Sequence, residues 1–314
     1  MLCLLAGIFL GWSLGANDAS NVFGPAVSSK MVRFWTAGVL ASAFVLLGAL
    51  TQGQAGMETL KGLTPLTTEE AVISSVAAAA TVTLMTVFGL PVSTSQAVVG
   101  AILGIGFMKQ QMNLEALGKI FGCWVGTPIG GMIMAIILYR ILGFIYNRLN
   151  INLLQSDILL RLSLIAAGLY GSYALGANNV ANVTAVFVGS GQLSLPGALL
   201  IGGLSIDLGI LTFSRRVMDT VGKRLVRLDA FSAVIVLVAE AVTVHIYAVI
   251  GVPVSTSQAV IGAVLGVGLV RGIHTVSRKK LGSILEGWFF TPVVAGFISV
   301  AATFAMHLRY LPPA

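Results

Sequence analysis

The sequence predicts an all-α integral membrane protein built from two inverted-topology repeats, with broken or re-entrant helices and about ten helical segments. Three observations support this fold class: few charged residues, a series of long apolar stretches, and internal duplication. Of the 314 residues, 57% are hydrophobic and 9% are charged, and the mean hydropathy is +0.97. A soluble domain carries about 25% charged residues, so the sequence excludes a water-exposed globular protein.

Ten mostly apolar stretches are separated by short polar breaks. A membrane-spanning helix needs about 20 such residues, and the fourth and ninth stretches are too short, so we expect half-helices or re-entrant segments there. The first stretch lacks a preceding basic region and is expected to belong to the fold rather than to a signal peptide. The stretches lie at about 2–23, 35–52, 71–90, 95–107, 120–146, 162–181, 196–213, 231–250, 257–270 and 284–308.

Three sequence patterns occur twice at nearly the same offset. Gly-Ala-Asn-Asp-Ala-Ser-Asn-Val at 15–22 returns as Gly-Ala-Asn-Asn-Val-Ala-Asn-Val at 176–183, and Pro-Val-Ser-Thr-Ser-Gln-Ala-Val at 91–98 returns unchanged at 253–260. A third pattern, Trp124, Thr127 and Pro128, is matched by Trp288, Thr291 and Pro292. Duplication of this kind predicts two structural repeats, with a first membrane repeat at 1–150 and a second, inverted repeat at 151–314.

Basic residues indicate the orientation, because cytoplasmic loops are enriched in Lys and Arg. The loop 53–70 carries one basic residue, Lys61, whereas the equivalent loop 214–229 carries five. Opposite charge bias in equivalent loops predicts opposite orientation, and placing the N-terminus outside the plasma membrane leaves most basic residues inside. The basic stretches 214–229 and 271–280 show no nucleic-acid motif and are expected to lie beside anionic membrane lipid.

The duplicated Pro-Val-Ser-Thr-Ser-Gln pattern predicts a helix N-terminus at membrane depth. Proline disfavours helix just before itself, and Ser or Thr caps the helix that follows. Unpaired N–H groups, the positive end of the helix dipole and several hydroxyls suit a phosphate or sulfate anion. The alternative is that these hydroxyls only link helices. Expected substrate-binding residues are Ser93, Thr94, Ser95, Gln96, Ser255, Thr256, Ser257, Gln258, Asn17 and Asn178.

The Asn/Asp pattern predicts a break in the first helix, where Gly15, Gly24 and Pro25 would end regular structure. Side-chain oxygens and unwound carbonyls suit a small cation, although these residues could instead cap broken helices. Ionisable groups within apolar runs are functional candidates, and Glu240 lies mid-span. The expected cation-binding or coupling residues are Asp18, Asn21, Asn179, Asn182 and Glu240, with Na⁺ placed at Asp18, Asn21 and Asn182.

Two other ionisable residues lie within apolar runs. His245 is interpreted as a hydrogen-bonded core residue or a proton relay, and the role of Asp207 is left open. Enzyme signatures such as His-Glu-x-x-His, a phosphate-binding loop and a Cys/His cluster do not occur in the sequence, so we expect neither catalysis nor a cofactor. Cys3 and Cys123 offer no disulfide framework.

These patterns resemble the inorganic phosphate transporter (PiT) family. The resemblance rests on the paired Gly-Ala-Asn-Asp/Asn and Pro-Val-Ser-Thr segments and on Arg-Val-Met-Asp-Thr-Val-Gly-Lys at 216–223. It implies a homodimer and secondary transport of phosphate with Na⁺ or H⁺. By motif match, the Ser-Thr-Ser residues would bind phosphate and the Asn/Asp residues the cation. This chain departs from the family pattern at Asn179, where Asp is common, and at Gln96 and Gln258, where His is common.

The sequence therefore predicts cation-coupled import of inorganic phosphate by alternating access. Asp18 favours phosphate over sulfate, because near neutral pH phosphate retains a proton that a carboxylate can accept. Two alternatives stay open. One is a sulfate permease of the same fold, and the other, from a different functional class, is a passive anion channel.

Overall fold

The structure, a computed structural model, describes residues 2–28, 30–87, 92–215, 217–218, 228–272 and 278–309. Regular structure within these ranges is entirely helical, which confirms the predicted fold class. The first half contains α1 (Leu2–Ser28), α2 (Phe34–Gln52), α3 (Gln54–Lys61), α4 (Thr68–Val87), α5 (Thr94–Lys109) and α6 (Leu114–Arg148). The second half contains α7 (Leu153–Gly189), α8 (Leu195–Thr212), α9 (Ala230–Ile250), α10 (Thr256–Arg271) and α11 (Arg278–Arg309).

Seven helices within the described ranges are long and apolar enough to cross a membrane: α2, α4, α6, α7, α8, α9 and the Ile284–His307 part of α11. Their outer faces are apolar, as shown on α6 by the exposed side chains of Ile129, Ile133, Ile137 and Ile141. Residues four apart share one helix face, so these isoleucines form a continuous surface suited to lipid. The protein is an integral membrane protein. The short apolar helices α5 and α10 coincide with the two stretches predicted to be too short to cross.

The predicted break in the first helix is wrong. α1 continues without interruption from Leu2 to Ser28, with Pro25 in its last turn. Gly15 has a different role: a Cβ atom there would lie 1.9 Å from the carbonyl oxygen of Ile206 on α8. Glycine is therefore required for close helix packing, and Asn17, Asp18 and Asn21 project from regular helix. The helix α7, which carries the second Asn pattern, is also continuous, and α3 was not anticipated.

The equivalent helices α1 and α7 pack together in opposite directions. A Cβ atom at Gly11 would lie 3.2 Å from the Val183 side chain, and one at Gly171 would lie 2.8 Å from the Val22 side chain. Ascending numbers in one helix thus meet descending numbers in the other. Since α1 and α7 are repeat counterparts, the second repeat is inverted relative to the first. The repeat boundary near residue 150 stays a prediction.

Helices are exchanged between the two halves. The half-helix α5 packs on α11, its counterpart α10 packs on α6, α1 packs on α8, and α2 packs on α7. The contacts are correspondingly paired: a Cβ atom at Gly100 would lie 2.3 Å from the carbonyl oxygen of Pro292, and one at Gly262 would lie 2.0 Å from that of Pro128. The exchange brings the N-termini of α5 and α10 into the interior between the halves.

Candidate anion and cation site

The two half-helices begin with the same capping interaction. The Ser93 hydroxyl accepts a 3.3 Å hydrogen bond from the Gln96 N–H at the start of α5, and Ser255 accepts an equal bond from Gln258 at the start of α10. Each cap satisfies the third N–H of its helix, so the first two N–H groups have no acceptor within the helix. The prediction that each pattern starts a helix is confirmed for both halves. Residues 88–91, including the first proline, lie outside the described residues.

The two N-termini meet inside the protein. The Ser95 hydroxyl donates to the Val254 carbonyl at 2.7 Å. Asn178 of α7 binds both backbone groups of Val254. Its amide nitrogen donates to the Val254 carbonyl at 2.8 Å, and its amide oxygen accepts from the Val254 N–H at 3.2 Å. All three residues are buried. The positive ends of two helix dipoles therefore lie beside one shared interior region.

Two asparagines link each helix N-terminus to the opposite repeat. Asn21 of α1 donates to Ser257 at the start of α10 at 3.0 Å, and Asn182 of α7 donates to Ser95 at the start of α5 at 3.2 Å. Asn21 also lies 3.0 Å from the Thr256 hydroxyl. The two long-range bonds join equivalent positions, so the inverted symmetry extends to side chains of the site.

Asp18 lies at the centre of this arrangement. Its carboxyl group is close to the hydroxyls of Thr94 and Thr256, which are counterparts in the two repeats. The Asp18 side chain is buried, and so is Glu240, whose charge is close enough to interact with that of Asp18. Burial of isolated carboxylates is costly. Two acidic groups in one buried region therefore fit a site that receives a cation.

The two half-sites differ chemically. Asn179 replaces the acid found at Asp18, and its amide oxygen accepts a 2.8 Å bond from Asn182. The partner of the preceding asparagine differs as well, because Asn17 donates to Thr86 on α4 at 2.9 Å, whereas its counterpart Asn178 holds the Val254 peptide. The acid, and with it the negative charge, is thus confined to the first-repeat pattern.

Several buried polar atoms around the two N-termini have no protein partner. They are Gln96 Oε1, Gln258 Oε1, Asn179 Nδ2, Asn182 Oδ1, and Glu240 Oε1 and Oε2. Unpaired buried polar atoms are uncommon in folded proteins, and here both donors and acceptors remain, as expected for a site that binds an anion and a cation. The described residues contain no group of three or more His, Cys, Asp or Glu side chains that could hold a metal, so a cation would rely on amide and hydroxyl oxygens as well.

Comparison with known proteins gives the family. The sequence pattern of the phosphate transporter family matches residues 14–156 and again residues 149–299. The chain belongs to the phosphate transporter family. Both matches include one Asn pattern and one Ser-Thr-Ser pattern, so each half of the site described above lies within one of the matched ranges.

Relatives of this phosphate transporter family protein cover nearly its whole length. A protein of Methanocaldococcus jannaschii that carries the provisional name phosphate permease is 30% identical over 94% of this chain and 95% of its own length. The sulfate permease CysP of Bacillus subtilis is 27% identical over 99% of this chain and 88% of its own length. A solved structure described as the sodium-dependent phosphate transporter shares the fold, with a TM-score of 0.86, 23% identity and 98% coverage of both chains.

The structure of this family member brings the predicted site residues other than Asn17 together from five helices. The group comprises Asp18 and Asn21 on α1, Ser93 to Gln96 at α5, Asn178, Asn179 and Asn182 on α7, Glu240 on α9, and Ser255 to Gln258 at α10, whereas Asn17 bonds Thr86 on α4. Asp207 lies on α8 beside Ile206, which packs on Gly15. Sequence reasoning missed the roles of Thr86 and of the Val254 peptide, because neither carries a local signal. The pattern at 216–223 lies mostly outside the described residues.

Proposed function

We propose that this protein imports inorganic phosphate together with a cation by alternating access between its two inverted repeats. The observation that carries the proposal is the meeting of two capped helix N-termini, each bound by an asparagine of the opposite repeat. Inverted repeats with a shared interior site are typical of secondary transporters. Relatives named for phosphate and sulfate transport support an oxyanion substrate.

Phosphate would bind at the N-termini of α5 and α10. The first two N–H groups of each helix are free of intrahelical acceptors, and the hydroxyls of Thr94 and Thr256 both lie close to Asp18. Dipoles and neutral donors can hold a phosphate without Arg or Lys. The Ser93 and Ser255 hydroxyls already accept capping bonds, so they would contribute to the anion site chiefly by fixing the helix starts.

The coupling cation would bind next to the anion, near Asp18 and Glu240. The unpaired amide oxygens of Asn182, Gln96 and Gln258 add neutral acceptors, and a mixed set of carboxylate and amide oxygens suits Na⁺. The solved structure with the same fold is described as sodium-dependent, which favours Na⁺ over H⁺ here. A bound cation neutralises part of the phosphate charge, so each ligand would raise the affinity for the other.

Movement of the two halves about this site would expose it first to one side and then to the other. The two asparagine bonds cross between the halves, and for this reason such a movement would change the geometry of the site. We also propose a homodimer in the plasma membrane with the N-terminus outside. Crosslinking in membranes would test the dimer, and labelling of single engineered cysteines would test the orientation.

Proteoliposomes containing the purified protein provide the decisive experiment. Uptake of radiolabelled phosphate is measured under an inward Na⁺ gradient, an inward H⁺ gradient, and no gradient. We expect accumulation above equilibrium with the Na⁺ gradient. Accumulation driven only by the H⁺ gradient would assign protons as the coupling ion. Uptake that equilibrates regardless of either gradient would contradict coupling and indicate a passive anion channel.

Sulfate transport is the second candidate, and one observation favours it. Asn179 places an amide nitrogen without a partner where the first repeat has the Asp18 carboxyl, and an amide donor accommodates a fully ionised anion. The sulfate permease relative adds support. Competition of phosphate uptake by unlabelled sulfate separates the two. Inhibition by sulfate at lower concentrations than by unlabelled phosphate would reverse the substrate assignment.

A further inference from the structure

A polar cluster outside the anion site links three helices around His245 of α9. Its Nδ1 atom lies 2.8 Å from the Tyr170 hydroxyl on α7, and its Nε2 atom lies 2.7 Å from the amide oxygen of Gln52 at the end of α2. The Tyr173 ring packs edge-on against the imidazole, and its hydroxyl bonds Thr51. His245, Tyr170 and Gln52 are all partly exposed, so the cluster lies at the outer surface of the helix bundle.

The internal repeat shows that the fold does not need these polar groups. At the equivalent positions of the other half, Tyr170 is matched by Phe9, Gln52 by Phe213 and His245 by Thr83. This alignment of the two halves is supported by a contact that occurs in both. The Trp12 indole donates to Thr212 at 2.9 Å, and at the equivalent positions the Tyr173 hydroxyl pairs with Thr51 at 3.0 Å. The same helix crossing therefore carries the histidine cluster in one half, whereas in the other half the Thr83 hydroxyl pairs with the Ser13 hydroxyl at 2.8 Å.

The polar cluster occurs in the half that also carries Glu240. The counterpart of Glu240 in the first half is Ala78, so the buried acid and the histidine cluster occur together and are absent together. A Cβ atom at Gly171, next to Tyr170, would lie 3.4 Å from Glu240 Oε2, and Tyr170 lies within electrostatic range of Glu240. His245 follows Glu240 by five positions on α9, which corresponds to a rise of roughly 7.5 Å along the helix axis.

The cluster can hold both charge states of the imidazole. The Gln52 amide oxygen only accepts, so Nε2 carries the hydrogen and Nδ1 accepts from the Tyr170 hydroxyl. When a proton from water adds to Nδ1, the imidazolium donates from both nitrogens, and the Tyr170 oxygen changes from donor to acceptor. The direction of one hydrogen bond is reversed, and the hydrogen of the Tyr170 hydroxyl gives up the imidazole as its acceptor.

We propose that His245, held by Tyr170 and Gln52, is a proton-binding site whose positive charge competes with the coupling cation for Glu240. This inference rests on the proposed function, because it assigns a regulator of cation loading at the same site. An imidazolium near Glu240 offsets part of the carboxylate charge and repels an arriving cation. For charges about 10 Å apart, the Coulomb interaction in a partly polar environment corresponds to about a tenfold change in cation affinity.

The other ionisable groups near this region are few among the described residues. α1 contributes Asp18, which interacts with Glu240, and α7 contributes Tyr170 and Tyr173. On α6, Lys119 donates to the carbonyl of Ile250 at the end of α9.

The remaining charged groups around α9 are paired with one another. The α3 residues Lys61 and Glu58 are exposed and paired with each other. At the opposite end of α9, Asp229 pairs with Arg271 of α10. Of these groups, none is an imidazole, so His245 is the one with an ordinary titration range between about pH 5 and 8.

The test measures the KM for Na⁺ of phosphate uptake into proteoliposomes at pH 5 and at pH 8. The wild-type protein should show a KM several-fold higher at pH 5, because the charged His245 opposes cation binding. His245→Gln should reduce this ratio to less than about twofold, and His245→Lys should show the high KM at both pH values. Tyr170→Phe should lower the ratio, since the imidazolium loses its acceptor.

Thr83→Val, at the matching position of the other half, is the control and should keep the wild-type ratio. An unchanged ratio in His245→Gln would overturn the proton-binding site and leave the transport assignment standing. Absence of Na⁺-driven uptake in the wild-type protein at either pH would overturn the proposed function and this inference together. If His245→Gln does not fold, His245→Lys and Tyr170→Phe still decide, because ratios equal to that of the wild-type protein in both would refute the site.

Discussion

Asn21 and Ser257 are joined by a hydrogen bond of 3.0 Å that passes from the first repeat to the second. Its counterpart between Asn182 and Ser95 measures 3.2 Å. Each bond attaches the N-terminus of one half-helix to a continuous helix of the other repeat. The N-termini that we propose to bind the anion are therefore held in place by contacts that a relative movement of the repeats would alter, and the proposed binding and movement would be linked through four side chains.

Removing the paired threonine hydroxyls should abolish phosphate binding. In Thr94→Val combined with Thr256→Val, two donors to a charged ligand are lost, each contributing about 1.5–3 kcal/mol, so we expect at least about a 100-fold loss of affinity. Calorimetry on the purified protein measures it, with size-exclusion chromatography to verify folding. The control is Thr81→Val with Thr243→Val, whose hydroxyls bond carbonyls of their own helices. Unchanged affinity in the first double variant would refute the anion site.

Exchanging the acid and amide between the half-sites should alter substrate preference. Asp18→Asn removes the acceptor for the phosphate proton and a cation ligand, so Na⁺-driven phosphate uptake should fall by about 10- to 100-fold, by analogy with loss of a bond to a charged group, while the ratio of phosphate to sulfate affinity decreases. Asn179→Asp adds a carboxylate and should weaken sulfate binding more than phosphate binding. Competition binding in detergent measures both ratios. Equal losses for the two anions would contradict the assigned role of Asp18.

Enlarging the glycines at the exchanged helix contacts should destabilise the protein. A Cβ atom at Gly262 would meet the carbonyl oxygen of Pro128 at 2.0 Å, and the backbones must separate, so Gly262→Ala should cost about 1–3 kcal/mol. Gly100→Ala, which meets Pro292, should behave alike. Gly122→Ala is the control, because nothing lies within 4 Å of a Cβ atom there. Thermal unfolding in detergent compares the three, and equal melting temperatures would argue against the close packing.

Asp229 should stabilise the start of α9 in a pH-dependent manner. Partial burial raises its pKa, but hydrogen bonds from the Ser232 N–H and hydroxyl, together with the charge of Arg271, outweigh that effect and lower the pKa of Asp229. A lowered carboxyl pKa adds stability above the unfolded-state value of about 3.9, and this stability is lost as the pH falls through the folded-state pKa.

Asp229→Asn should therefore lower the melting temperature at pH 7, by an amount corresponding to less than about 1 kcal/mol because the carboxyl is half exposed. The difference from the wild-type protein should shrink towards pH 3. Asp157→Asn serves as the control, since Asp157 pairs with Arg161 at 3.7 Å on an exposed helix surface. A difference that persists undiminished at pH 3 would show that the effect of Asp229 is not electrostatic.

The sequence predicted the helical segments and the two capped N-termini because these depend on local chemistry. Apolar length, proline and Ser/Thr capping act within a few residues, and the starts of α5 and α10 were placed accordingly. The continuity of α1 was missed because a glycine in a helical run can mark either a break or a close approach. Gly15 marks an approach to Ile206, nearly 200 residues away along the chain, and only the folded structure distinguishes the two.

The residues of the site were largely predictable from the sequence, but their hydrogen-bond partners were not. Duplicated residues identified the participants, whereas the partner of each depends on how the halves pack. Asn17 pairs with Thr86, while its counterpart Asn178 pairs with the Val254 peptide. The cluster at His245 was missed for the same reason, because Gln52 precedes it by 193 positions.

The exchange of half-helices has a consequence for how such a molecule could have arisen. A single unit of this kind would leave α5 and the long helix α6 partly uncovered, because each packs chiefly on an element of the second unit. A one-unit ancestor would thus have been stable only as two copies inserted in opposite senses. Gene fusion would then have joined an assembly that already existed, and the residues near 150 would be the join.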